Sequence, residues 1–168
     1  RPLAAERSPW LRGTLAVPGD EVLAHLALVA GAAVRGTSRI EGALGGARLA
    51  ATARALAALG AALEPDDRGW TASGLGPGGL LAPERMLDLG DSALGLALIA
   101  GLVAPHDFET QFIGSPELFG RPFTTLIDAF ATLGTRHVVP ERKLPVTLRG
   151  PRIATPGIVA APPGLTGA

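Results

Sequence analysis

The sequence predicts an α/β (α+β) fold built from repeated βαβαββ units, and three observations lead there. Apolar runs of helical length alternate with short β-branched or alternating stretches along most of the chain. Two turn-rich hairpins, at Pro65-Asp66-Asp67-Arg68-Gly69 and at Pro140 to Lys143, each follow a helix that stops at Leu-Gly. These two groups are in register: Ala55, Ala57, Leu59 and Gly60 lie 74 residues before Ala129, Ala131, Leu133 and Gly134. Alanine and leucine matches come cheaply in this composition. The repeated order of helix, Leu-Gly, strand, turn and strand carries the argument.

Taken in order, residues 1–17 read as a polar tail, Arg1 to Trp10, and a weakly alternating strand from Leu11 to Val17, stopped by Pro18. Asp20 is a good N-cap for a helix over Glu21–Val34, apolar on nearly every face and so expected to be buried. A strand over Gly36–Gly42, a helix over Ala47–Leu59 and a hairpin of Ala61–Glu64 with Trp70–Ser73 complete a first unit, 18–75. The second unit, 76–150, opens on a glycine-rich connector. It continues with a strand at Met86–Leu89, an apolar helix over Ser92–Val103 and a strand at Phe108–Ile113. Its helix over Arg121–Leu133 precedes strands at Arg136–Val139 and Val146–Arg149. Residues 151–168 read as the start of a third, truncated unit. Two such units bury their faces only partly, so a further packing partner is expected, in cis or by self-association.

Bulk properties exclude several functions. Fifteen basic and fifteen acidic residues cancel, so no electrostatic case exists for nucleic acid or an anionic membrane. Zero cysteines exclude disulfides, thiol nucleophiles and thiolate metal sites, and three scattered histidines do not suggest zinc. No cofactor is expected. No apolar run reaches the roughly 18 residues of a membrane span, and the first ten residues lack a signal-peptide core. A cytoplasmic protein is the expectation.

Four blocks carry a family resemblance. Pro18-Gly19-Asp20-Glu21-Val22 with His25-Leu26 is similar to the Pro-Gly-Asp-Lys-Ser and His-Arg of the enolpyruvylshikimate-phosphate synthases. Leu87-Asp88-Leu89-Gly90-Asp91-Ser92-Ala93-Leu94-Gly95 resembles their Leu-Asp-Leu-Gly-Asn-Ser-Gly-Thr-Gly. Gly114 to Phe123 keeps Gly114, Leu118, Arg121 and Pro122 of a third motif, and Leu144 to Pro151 matches a fourth throughout. The connectors Gly78–Glu84 and Phe112–Gly114 look like the glyphosate-tolerant class. The sister family, UDP-N-acetylglucosamine enolpyruvyl transferase, typically has a cysteine just before its Arg-Pro; here that loop, Ser115 to Gly120, has none.

The resemblance implies transfer of an enolpyruvyl group from phosphoenolpyruvate to shikimate-3-phosphate, a step in aromatic amino-acid biosynthesis. Both substrates are anionic, so cations and helix N-termini must offset their charge. It further implies a lysine and a serine where Glu21 and Val22 stand, an arginine at Leu26, an asparagine at Asp91 and an arginine at Ala97. A Ser-Ala-Gln falls on Leu165-Thr166-Gly167. All of these are changed, and Arg121 is the one substrate-binding side chain retained. The expectation is a degenerate, truncated and inactive copy. A transferase rebuilt for another acceptor and a non-catalytic interaction module stay open. Structural readings stand beside these: Asp20-Glu21 as helix capping, Leu26 and Ala97 as core, His25 as packing or capping, Asp91-Ser92 as an N-cap pair, and His106-Asp107 as a turn.

Overall fold

The computed structural model describes residues 10, 12–15, 17, 19–43, 45–76, 78–119, 123–140 and 143–152. Helix α1 (Glu21–Ala33) starts where expected, because the Asp20 carboxylate accepts the Leu23 N–H at 2.8 Å. Strand β1 (Arg35–Glu41) follows, then α2 (Ala47–Ala58), which ends at Gly60 in the left-handed region at φ +100°. Strands β2 (Ala62–Asp66) and β3 (Gly69–Leu75) form the first hairpin. Asp66 organises its turn, accepting the Arg68 and Gly69 N–H groups at 2.8 and 3.0 Å. Arg39 on β1 donates to the same carboxylate and holds it well below the usual carboxylate range.

The second group runs β4 (Leu87–Asp88), α3 (Ala93–Val103), β5 (Glu109–Ile113), a short α4 (Pro116–Phe119), α5 (Thr124–Thr132), β6 (Arg136–Val138) and β7 (Val146–Arg149). The Ser92 hydroxyl caps α3 by accepting the Gly95 N–H at 3.1 Å. Helix α4 was not anticipated. A four-residue run offers no periodicity to detect, and its first turn is closed by Ser115, whose carbonyl accepts the Leu118 and Phe119 N–H groups.

The strands form two sheets. The first has the order β1-β3-β2, all antiparallel, with Ile40 opposite Trp70. The second has the order β4-β5-β7-β6: β4 is parallel to β5 and the other pairs are antiparallel. Both place the last strand of a hairpin between its partner and the preceding strand. They differ at one edge, because β1 has no neighbour corresponding to β4 among the described residues. The strand expected over Leu11–Val17 is absent from residues 12–15 and 17, and Leu15 and Val17 are 85% and 80% exposed. Alternation marks a segment as able to pair, but a strand holds its shape only beside another, and none lies alongside among the described residues.

Helices α1, α2 and α3 pack against one another, α1 also lies on β3, and one continuous core runs between the sheets. Leu28, Leu56, Leu96, Ile99 and Phe112 are all but fully buried, each contributing about 1.5–3 kcal/mol of transfer free energy. The expectation that α1 is covered on nearly every face is corrected. Ala24, His25, Leu28, Gly31 and Ala32 are buried, but Val22, Leu23 and Leu26 are 49%, 65% and 43% exposed. A helix without polar residues does not encode which side its neighbours occupy. Here two helices and one sheet leave a side uncovered. No helix among the described residues is long and apolar enough to cross a membrane.

Helices α2 and α3 approach closely at Gly95. A Cβ at Gly95 would lie 2.1 Å from Thr52 Oγ1 and 2.6 Å from Ser92 Oγ. Gly95→Ala therefore sets two effects against each other. Helix propensity favours alanine by about 0.8–1.0 kcal/mol, whereas overpacking a tight contact costs about 1–3 kcal/mol. Thr52 is fully buried and has nowhere to retreat. We expect net destabilisation, read as a lower urea midpoint at unchanged m-value; a neutral or stabilised variant would show that the helices slide apart freely.

Candidate functional site

The first turns of α1, α2 and α3 meet at a cleft with two lobes. One, of about 410 Å³, is lined by Gly19, Asp20, Glu21 and Ala24 and by Gly45 to Leu49 at the start of α2. The other, of about 290 Å³, is lined by Glu21, Val22, His25, Arg48 and Asp91 to Leu94. Glu21 and Arg48 belong to both lobes and form the wall between them.

Arg48 links the three helices. Its Nη2 donates to Asp91 Oδ2 at 3.0 Å, while its Nη1 stands 3.8 Å from Glu21 Oε1. The bond to Asp91, then the charges of Asp91 and Glu21, push the guanidinium pKa up, so it remains a cation at any working pH. The same Glu21 Oε1 lies 3.8 Å from His25 Nε2. On its far side, His25 Nδ1 is 3.0 Å from Thr52 Oγ1, which also faces the Arg48 carbonyl at 3.3 Å. A carboxylate opposite Nε2 favours the tautomer with its proton there, so Nδ1 accepts from the Thr52 hydroxyl.

His25 is 1% exposed, and its pKa is lowered chiefly by burial, partly opposed by Glu21 and reinforced by Arg48. It is therefore neutral at pH 7. One cation, Arg48, faces two carboxylates, so the described side chains of the cleft are net negative. Among the described residues, no group of three or more histidines, cysteines or carboxylates is placed to hold a metal ion.

Of the positions singled out by resemblance, Glu21, Val22 and Asp91 do come together in one lobe. Leu26 and Ala97 do not line either lobe. Leu26 is not a core residue: it sits on the uncovered side of α1, while Ala97 is half-buried on α3. Asp20 and Ser92 cap their helices, whereas Asp91 is no cap and instead holds Arg48. His25 is a packed residue. Asp107, in the turn after α3, accepts from Arg149 Nε at 3.0 Å. Arg121 and Leu165-Thr166-Gly167 lie outside the described residues.

The sequence reading missed Arg48 and Thr52. A signal for Arg48 existed: it lies in the first turn of α2, where the helix dipole disfavours a cation. A residue that breaks a local rule there points to a partner from elsewhere in the fold.

The sign of the pH effect follows from His25. Its folded pKa lies below the ordinary 6.5, so the unfolded chain takes up the proton first. This contribution to stability is complete above pH 6.5 and is lost progressively as the pH falls below it. Wild-type protein should lose urea stability between about pH 7 and 5, and His25→Gln should flatten that slope. An equally steep profile in the variant would assign the loss to other groups.

Known proteins match this geometry and sequence. The family model for EPSP synthase (3-phosphoshikimate 1-carboxyvinyltransferase) matches residues 6–160. The chain is 40% identical over 158 residues to the 3-phosphoshikimate 1-carboxyvinyltransferase of Chelativorans sp. (strain BNC1), covering 93% of this chain and 35% of that protein. It is 40% identical over 148 residues to the enzyme of the same name from Novosphingobium aromaticivorans, covering 87% and 34%. The solved EPSP synthase of Acinetobacter baumannii superposes with a TM-score of 0.79 at 28% identity, over 83% of this chain and 32% of that one. The chain thus spans about a third of the length of the relatives it matches. With the family model covering most of its length and the fold agreeing, the chain belongs to the EPSP synthase family.

Proposed function

We propose that this chain is part of an EPSP-synthase fold whose cleft no longer takes the family's anionic substrates, so that it does not turn over phosphoenolpyruvate and shikimate-3-phosphate. The observation that carries this reading is the Glu21 carboxylate, which stands between Arg48 and His25 where an incoming anion needs cations. A hydrogen bond to a charged group contributes about 1.5–3 kcal/mol. Losing the three cationic contacts at Glu21, Leu26 and Ala97 removes roughly 5–9 kcal/mol, or about four to six powers of ten in affinity. Arg48 returns one cation, but Asp91 already engages it. In this reading 18–75 and 76–150 are two repeat units, 151–168 opens a third, and Arg121 is the one inherited anion-binding side chain.

A second reading has its own observation. The uncovered apolar side of α1, with Val22, Leu23 and Leu26, favours an interaction module that covers this side by self-association or with a missing C-terminal half.

Calorimetric titration with phosphoenolpyruvate and shikimate-3-phosphate, alone and together, tests the first reading. No saturable heat and no rise in Tm are expected; a clear ligand-dependent rise would sink it. Glu21→Lys with Val22→Ser and Leu26→Arg restores the implied side chains, and measurable phosphoenolpyruvate binding is expected to appear. For the second reading, sedimentation velocity over a wide concentration range should show association, and a strictly monomeric species would count against it.

A further inference from the structure

We infer that Arg48 is a latent anion-binding group of the cleft and that Glu21 is its internal competitor, so that removing one carboxylate opens a site for a single phosphate or carboxylate group of a small molecule. The inference rests on the reading that the cleft as it stands is closed to anions. A guanidinium carries five N–H donors, and the hydrogen bond to Asp91 uses one of them. Nη1 is directed to Glu21 at 3.8 Å, an electrostatic contact beyond hydrogen-bond reach. Exposed ion pairs of this kind hold their partners weakly, because water screens them and both side chains keep their freedom. The Glu21 side chain is 56% exposed and the Arg48 side chain 54%, so neither is locked in place.

A second observation points to the same spot. His25, 1% exposed, turns Nε2 toward Glu21, and that oxygen too stands 3.8 Å away. Glu21 Oε1 thus lies between two donors and is hydrogen-bonded to neither. A carboxylate or phosphate oxygen not tethered to α1 is free to close the 3.8 Å gap to Arg48 Nη1, with the His25 Nε2–H facing the same space. The open lobes on either side, about 410 and 290 Å³, leave room for the rest of such a ligand. Glu21 therefore occupies the place of a ligand without the geometry of a tight partner.

Inorganic phosphate is the probe, followed by calorimetry at low ionic strength. Wild-type protein is expected to give no saturable heat, Glu21→Gln to bind at least about tenfold more tightly than the weakest affinity the titration detects, and Glu21→Gln/Arg48→Met to behave as wild type. Asp91→Asn, which frees Nη2 instead, serves as a second variant and should also tighten binding. Circular dichroism checks that each variant is folded. The inference is overturned if neither single variant gains affinity, or if the gain survives Arg48→Met, which would place the cation elsewhere. Tight binding of phosphoenolpyruvate or shikimate-3-phosphate by wild-type protein would instead defeat the proposed function, so the two failures are distinct.

Discussion

The close approach of α2 to α3 at Thr52 and Gly95 is the constraint on which the site depends. Because Gly95 has no side chain, Thr52 reaches the backbone of α3 and the first turns of both helices come into one neighbourhood. From that position Thr52 also supports His25 on α1, so a single hydroxyl ties the third helix to the pair. The charged groups of the cleft are then placed by the helices and their leads: Glu21 and His25 by α1, Arg48 by α2, and Asp91 by the turn into α3.

Electrostatics decides what this rigid frame can do. The helix starts that converge here are suited to anions, since unpaired N–H groups and helix dipoles favour negative charge. The start of α1 is met by two of the chain's own carboxylates, Asp20 and Glu21, and Asp91 adds a third negative charge at the start of α3. These groups stabilise their own helices and disfavour an external anion in the same stroke. Arg48 offsets part of the charge while tying the helices together. A family frame whose described cleft side chains are net negative is the outcome.

Much of the architecture was legible because local chemistry dictates it. Asp20 and Ser92 announce helix starts, Gly60 and Gly134 announce helix ends, and the Asp66 turn announces a hairpin. Those devices act within a few residues and leave their mark in the residue order. The failures were of another kind. The stretch from Leu11 to Val17 has a strand's alternation but no neighbour in the described residues, and α1 has a buried helix's composition but an uncovered side. Leu26 was misjudged for the same reason.

The site divides along the same line. From the sequence alone came the family blocks, the fold class, the helix caps and the loss of the lysine, serine and arginines that anion binding requires. Only the tertiary structure decided that Asp91 is a partner and not a cap, that Arg48 belongs to the cleft, and that His25 is buried with its Nε2 toward Glu21. The pairs Arg48 and Asp91, His25 and Thr52 are separated by 43 and 27 residues. Interactions over such distances arise when helices pack, and packing is set by the shapes of all the surfaces that meet, which no local pattern of residues contains.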